Sequence, residues 1–367
     1  MTGVYVHIPF CKSKCFYCDF LSFACDNQER PDGGLPYKYI HALTNEINQT
    51  ILPPVDTIFI GGGTPTMLPV NLLSILLENI RAANCRPYKT KIEFTIEANP
   101  ESLDEEKLKV MRFYGVNRLS IGLQSTDNFL LKTIDRTHTF DDFLEKYILA
   151  KKYFNNINID LIYGLPHQDI NIWIQTLKTV IDLQPAHISC YGLTIEENNP
   201  LYNALPGDEP DRAMYAKAIE TLGIAGYTHY EISNFAKPNF MCLHNINCWE
   251  CREYKGFGLG THSFINNKRF NNTCDINEYI KGDFSPKNCI LLSKEESISE
   301  AVILGLRLIK GIEFSDFYKR YGVNPQEKYK SKLEKLADSG LINYTTKKIS
   351  LTYKGIDLSN LVFGEFL

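Results

Sequence analysis

Apolar and polar positions along this chain follow a repeating two-part pattern. Short apolar runs occupy residues 4–8, 57–60, 92–98, 118–123, 157–163 and 187–193. Between them come stretches in which apolar residues return every three to four positions, which predicts helices over 71–82, 104–114 and 172–183, for example. Strands alternating with helices imply a parallel sheet with right-handed crossovers. The unusual residues sit at or just past the C-terminal ends of the strands: Cys11, residues 61–64, Glu97, Gln124 and Asp160. That is the functional face of an α/β barrel, so a partial, TIM-like (β/α)6 barrel fits better than a doubly wound sheet.

The pattern changes after about residue 235. Residues 234–273 are rich in Asn, Gly, Cys and aromatic residues and are expected to be irregular. Residues 293–309 read as an amphipathic helix. Helices over 313–321 and 326–339 follow, with Gly340 as a helix stop, then short strands over 341–344 and 349–352. Helix, helix and a two-stranded wing is a winged-helix-like order. Its small excess of Lys and Arg is too weak for DNA binding and suits a packing or lid domain. The expected organisation is a core barrel over 1–235, a connecting segment over 236–290, and a smaller α+β, largely helical domain over 291–367.

Composition adds limits. A chain of 367 residues buries roughly three quarters of its unfolded surface. A formal net charge of −4 argues against a nucleic-acid partner. No apolar run approaches the ~20 residues of a membrane span. The first residues, MTGVYVHIPF, have neither a basic region nor a long apolar core, so the cytoplasm is the expected location. Eleven cysteines are present; in a reducing compartment they are not expected to form structural disulfides.

Three of these cysteines are packed together as Cys11-Lys-Ser-Lys-Cys15-Phe-Tyr17-Cys18. An ordinary [4Fe–4S] cluster takes four thiolates, one per iron. Three ligands on one tight loop leave an iron open, which the amino and carboxylate groups of S-adenosylmethionine (SAM) can chelate. A zinc site is the alternative, but no fourth ligand sits at finger spacing. Cys25 and Cys85, next along the chain, lack the spacing. After the second strand comes Gly61-Gly62-Gly63-Thr64-Pro65, where glycines permit a tight turn and close approach of backbone to ligand.

With these motifs the sequence resembles the oxygen-independent coproporphyrinogen III oxidase group of radical SAM proteins, and within it the branch of haem chaperones. The matching residues are Tyr5-Val-His-Ile-Pro-Phe-Cys11, residues 61–66, Ile96-Glu-Ala-Asn-Pro100, Ser120-Ile-Gly-Leu-Gln124-Ser, Arg136 and Ile159-Asp-Leu-Ile-Tyr-Gly-Leu-Pro166. They span most of the chain in the family's order. The resemblance implies a radical SAM barrel with Tyr5 near the first SAM and Tyr17 in the cofactor site. It also implies Gly62, Gly63 and Thr64 on the methionine part and Glu97 on the ribose. Gln124, Arg136 and Asp160 match residues that contact a second SAM in the oxidase.

Two functions then compete: decarboxylation of coproporphyrinogen III, or haem binding and transfer. The oxidase carries a further cysteine two residues after the third ligand, where this chain has Phe20 after Cys18-Asp19. The oxidase also has a long N-terminal extension, which the early position of Cys11 leaves no room for. Haem chaperones carry His-Asn-x-x-Tyr-Trp; here the motif reads His244-Asn-Ile-Asn-Cys248-Trp249. Imidazole and thiolate both ligate haem iron, so His244 and Cys248 are the candidate ligands. Cys242, Cys248 and Cys251, close to His244, are also a conceivable metal set. The expected partners are haem and an acceptor haem protein, with a membrane-bound acceptor among the candidates. The sequence leaves the oligomeric state open.

Overall fold

In the computed structural model, which describes residues 2–25, 34–52, 54–83, 92–197, 199 and 201–367, six parallel strands form the centre. They are β1 (Gly3–Ile8), β2 (Thr57–Gly62), β3 (Glu93–Ala98), β4 (Arg118–Gln124), β5 (Ile157–Tyr163) and β6 (His187–Gly192). Each is hydrogen-bonded in parallel to the next in chain order. Five helices cross over between them: α1 (Gly34–Gln49), α2 (Val70–Ala83), α3 (Glu105–Phe113), α4 (Phe140–Lys151) and α5 (Ile170–Asp182). Helix α6 (Asp208–Ile224) follows β6. This is the partial (β/α)6 barrel that the alternating pattern predicted. Cys85 lies outside the described residues.

The strands alternate in character. Val4, Val6, Ile58, Ile60, Ile96, Leu119, Ile121, Ile159, Leu161 and Ile188 are buried in the main core with apolar residues of the helices. Each such side chain contributes roughly 1.5–3 kcal/mol. The residues between them are largely polar and meet each other inside the barrel. Asn158 Nδ2 donates to Ser120 Oγ at 2.7 Å, and His187 Nδ1 lies 2.6 Å from Asn158 Oδ1. Pairing of this kind is what lets polar groups survive burial, although Thr95 Oγ1 stays without a partner.

The segment expected to be irregular is instead part of the same sheet. Thr228–Glu231 and Asn234–Ala236 extend it antiparallel beyond β6. On the other edge Tyr254–Phe257 pairs in parallel with β1, and His262–Ile265, Lys268–Asn271 and Lys287–Leu291 continue antiparallel to give twelve strands. These strands are only three to five residues long and carry no apolar run to read.

The C-terminal domain begins with Lys294–Gly305, opened by a Ser293/Glu296 capping box. Phe314–Tyr321 follows. The single helix expected over 326–339 is two, Pro325–Lys328 and Lys330–Asp338, separated at Tyr329. Ile342–Tyr344 and Lys348–Leu351 form the wing, with Ile312–Glu313 as a third strand. Among the described residues no helix is long and apolar enough to cross a membrane.

Candidate functional site

Past Ile8 the chain bends through Pro9 into the cysteine loop, and both ends of that loop are tied. Phe23 N donates to Pro9 O at 2.8 Å and Cys25 N to Cys11 O at 2.9 Å. Cys11, Cys15 and Cys18 are partly exposed and line a cavity of about 340 Å3 at the C-terminal ends of the strands. Burial pushes the Cys11 and Cys18 thiols up, so ligation there requires a metal to draw off the protons. Among the described residues no three His, Cys, Asp or Glu side chains converge on a single metal ion. A cluster spreads its thiolates over separate irons, and the three-thiol donor set beside an open cavity fits a [4Fe–4S] group.

The glycine turn packs against that loop. Gly63 N donates to Ile8 O at 2.8 Å and Thr64 N to Phe10 O at 2.7 Å. Gly62 has φ +112°, and a Cβ there would lie 2.3 Å from His7 Nδ1; one on Gly63 would lie 2.7 Å from Phe10 O. Only glycine fits both the conformation and the space. Glu97, at the end of β3, accepts the Gly62 N–H at 3.1 Å. Burial first, then the Asp160 carboxylate, push its carboxyl up to about 8.

The remaining residues close the cavity. Gln124 ends β4 at φ +71°, next to a bulge against β5. Asp160 accepts from Ser120 Oγ and Asn158 Nδ2, both at 2.8 Å. Arg136, on the loop before α4, donates to Asn99 Oδ1 at 2.7 Å, to Gly122 O at 2.8 Å and to Cys15 Sγ at 3.9 Å. Tyr17 packs among Arg136, Cys15 and Cys18, and burial pushes its phenol up.

Tyr5 lies beneath the cavity, close enough to Glu97 for that carboxylate, after burial, to push its phenol up. It is not a lining residue of this cavity; its hydroxyl meets His7 Nδ1 at 3.1 Å, and its ring stacks on Phe59. Asn99 and Tyr191 line the cavity but were not singled out in the sequence. Asn99, two residues past Glu97 and just before Pro100, has the look of an ordinary turn residue, and Tyr191 falls inside the apolar run 187–193.

His244 and Cys248 lie far from the cysteine loop. They belong to the short helix Leu243–Trp249. His244 Nδ1 is 3.0 Å from Thr57 Oγ1, at the start of β2, and Glu93 at the start of β3 accepts the N–H groups of Leu243 and His244, both at 2.9 Å. The five steps of β2 up to Gly62 span roughly 16 Å. The helix therefore plugs the opposite mouth of the barrel. His244 is 6% exposed, and burial, then Arg118, lower its pKa to about 4. In this conformation its imidazole does not reach an iron from outside.

The chain is similar to known proteins over most of its length. Residues 5–180 match the model of the Radical SAM superfamily, and residues 292–358 that of the HemN C-terminal domain. The heme chaperone HemW of Bacillus subtilis is 36% identical, over 100% of this chain and 99% of that protein. The mitochondrial radical S-adenosyl methionine domain-containing protein 1 of Mus musculus is 31% identical over 84% of this chain and 74% of that protein. Among solved structures, coproporphyrinogen III oxidase (HemN) of Escherichia coli superimposes with a TM-score of 0.85 at 24% identity, over 100% of this chain and 89% of that one. At that identity the likeness concerns the fold.

Proposed function

The chain belongs to the radical SAM family that contains the HemW haem chaperones, and from that premise we propose that it binds haem and passes it to an acceptor haem protein. Radical SAM membership brings a [4Fe–4S] cluster and SAM with it. The observation that carries the chaperone reading is end-to-end similarity to HemW, joined to Phe20 at the position where the oxidase has a fourth cysteine. A cytoplasmic location and an acceptor met at a membrane are part of the same proposal.

Cys11, Cys15 and Cys18 would hold the cluster. Gly62, Gly63 and Thr64 would hold the methionine part of SAM, and Glu97 its ribose diol. Tyr17, Gln124, Arg136 and Asp160 would line the rest of the cofactor cavity. The bound cofactors supply one-electron cleavage chemistry; the chain's share is to orient them and exclude water. For haem, His244 and Cys248 remain the proposed ligands, and the plugged position of their helix makes its displacement part of that proposal.

The test uses anaerobically reconstituted protein. Stoichiometric haem binding is expected, with no conversion of coproporphyrinogen III in the presence of SAM and a reductant. Robust formation of protoporphyrinogen IX would overturn the chaperone reading in favour of the oxidase.

A further inference from the structure

Two of the cluster cysteines are joined by a chain of hydrogen bonds whose middle members are not ligands. Arg136 Nη1 donates to Cys15 Sγ at 3.9 Å, and Nη2 donates to Asn99 Oδ1 at 2.7 Å. Asn99 Nδ2 donates to Thr64 Oγ1 at 2.8 Å, and Thr64 Oγ1 donates to Cys11 Sγ at 3.7 Å. The direction of this chain is fixed by chemistry. A guanidinium can only donate, so the amide atom facing it is the oxygen. The Asn99 NH2 then faces Thr64 and occupies a lone pair of its hydroxyl, leaving the hydroxyl proton for the Cys11 sulfur.

Asn99 has no competing duty. It stands at the N-cap position of the turn Pro100–Ser102 but makes no side-chain cap bond there, although Asn is a strong capping residue. Its amide is committed to Arg136 and Thr64 instead. The other close partner of Arg136 is a neutral main-chain oxygen, Gly122 O. Tyr17, the Cys15 sulfur and the Glu101 carboxylate are the groups whose charge acts on the guanidinium.

We propose that Asn99 is a positioning residue for the cluster: it clamps Arg136 against Cys15 and directs the Thr64 hydroxyl onto Cys11, and the pair of contacts raises the cluster's reduction potential. The proposal rests on the cluster reading above and is independent of haem. The reduced cluster carries one more negative charge than the oxidised one. N–H and O–H groups aimed at its sulfurs, and a fixed cation beside them, favour that form. The cation also polarises the amide, which strengthens the donation passed on to Thr64. Because Thr64 closes the glycine turn, the same chain links cluster and SAM cradle.

The experiment is a redox titration of the reconstituted protein, followed by electron paramagnetic resonance, with iron and sulfide measured in every variant. Asn99→Asp keeps the shape but cannot donate to Thr64 and adds negative charge, so its midpoint potential should fall. Thr64→Val should lower it by less, and should add nothing in the Asn99→Asp background. Arg136→Lys keeps the charge but cannot bridge, and should fall between wild type and Arg136→Met. A merely structural role would reduce cluster content while leaving the potential of the assembled fraction unchanged. That outcome in both Asn99→Asp and Arg136→Lys overturns the proposal. A wild-type protein that assembles no cluster overturns the family assignment of Cys11, Cys15 and Cys18 instead.

Discussion

At the scale of single residues, Glu97 shows how burial sets a protonation state. Its carboxyl, pushed up to about 8 by burial and by Asp160, is mostly protonated at neutral pH in the free protein. Raised above its unfolded value, it contributes stability that is complete below about pH 4.5 and declines as the pH rises through about 8. Urea titrations of the cofactor-free protein should therefore show stability falling between about pH 5 and 8 and levelling off above that. Glu97→Gln should remove most of that slope; an unchanged slope would show that Glu97 is not its source. Toward SAM, a carboxylate suits a cis-diol, and Glu97→Ala should cost roughly 1.5–3 kcal/mol of affinity with iron content unchanged. Calorimetry giving wild-type affinity would remove Glu97 from the ribose site. Glu97 was legible because a lone carboxylate closes an apolar run at a strand end. Asn99, two residues on, was not: an amide before Pro100 reads as an ordinary turn residue, and its bonds reach residues 35 and 37 positions away.

At the scale of elements, β1–β6 were legible almost to the residue, because every second side chain is a large apolar one packed under a helix. The added strands were not, since their short runs hold residues such as Lys268, Arg269 and Asn271 that a one-sided edge tolerates. Least legible was how the Leu243–Trp249 helix is held. At seven residues it is too short to persist alone. Its first N–H groups are taken by Glu93, which arrives from 150 residues earlier. Glu93 is 7% exposed, and removing its charge leaves those N–H groups poorly satisfied beside buried Arg118. Glu93→Gln is expected to destabilise the protein by about 1.5–3 kcal/mol, the range for a charge-assisted hydrogen bond. Asp275 caps the surface helix Ile276–Ile280 in a similar way, and Asp275→Ala should cost about 1 kcal/mol. Equal losses in the two variants, read by urea denaturation, would show that burial adds nothing to the Glu93 cap.

At the scale of the whole molecule, the barrel has two differently finished mouths. Cys11–Cys18, the glycine turn and Glu97 open on one; the His244 helix closes the other. Sequence order could place the first set, since each follows a strand, but a helix coming after the last barrel strand has no assigned end. The plug is also held from outside. Arg320 of the C-terminal domain donates to the carbonyl groups of Glu250 and Cys251, just past the helix, and Lys310 pairs with Glu250 at 2.9 Å. Arg307 lies over the Trp249 ring at 4.2 Å. If His244 takes haem, uptake must wait for this plug to open, and the observed affinity is reduced by the fraction of molecules that are open. Loosening the outer clamp should then speed uptake without touching the ligand. Arg320→Ala is expected to bind haem faster than wild type in stopped-flow mixing, with the same final spectrum. His244→Ala should alter the spectrum or lose binding, and Cys248→Ala should do so instead if the thiolate is the ligand. Wild-type uptake rates in Arg320→Ala would dismiss gating by the C-terminal domain. Unaltered spectra in both His244→Ala and Cys248→Ala would move the haem site away from the plug altogether.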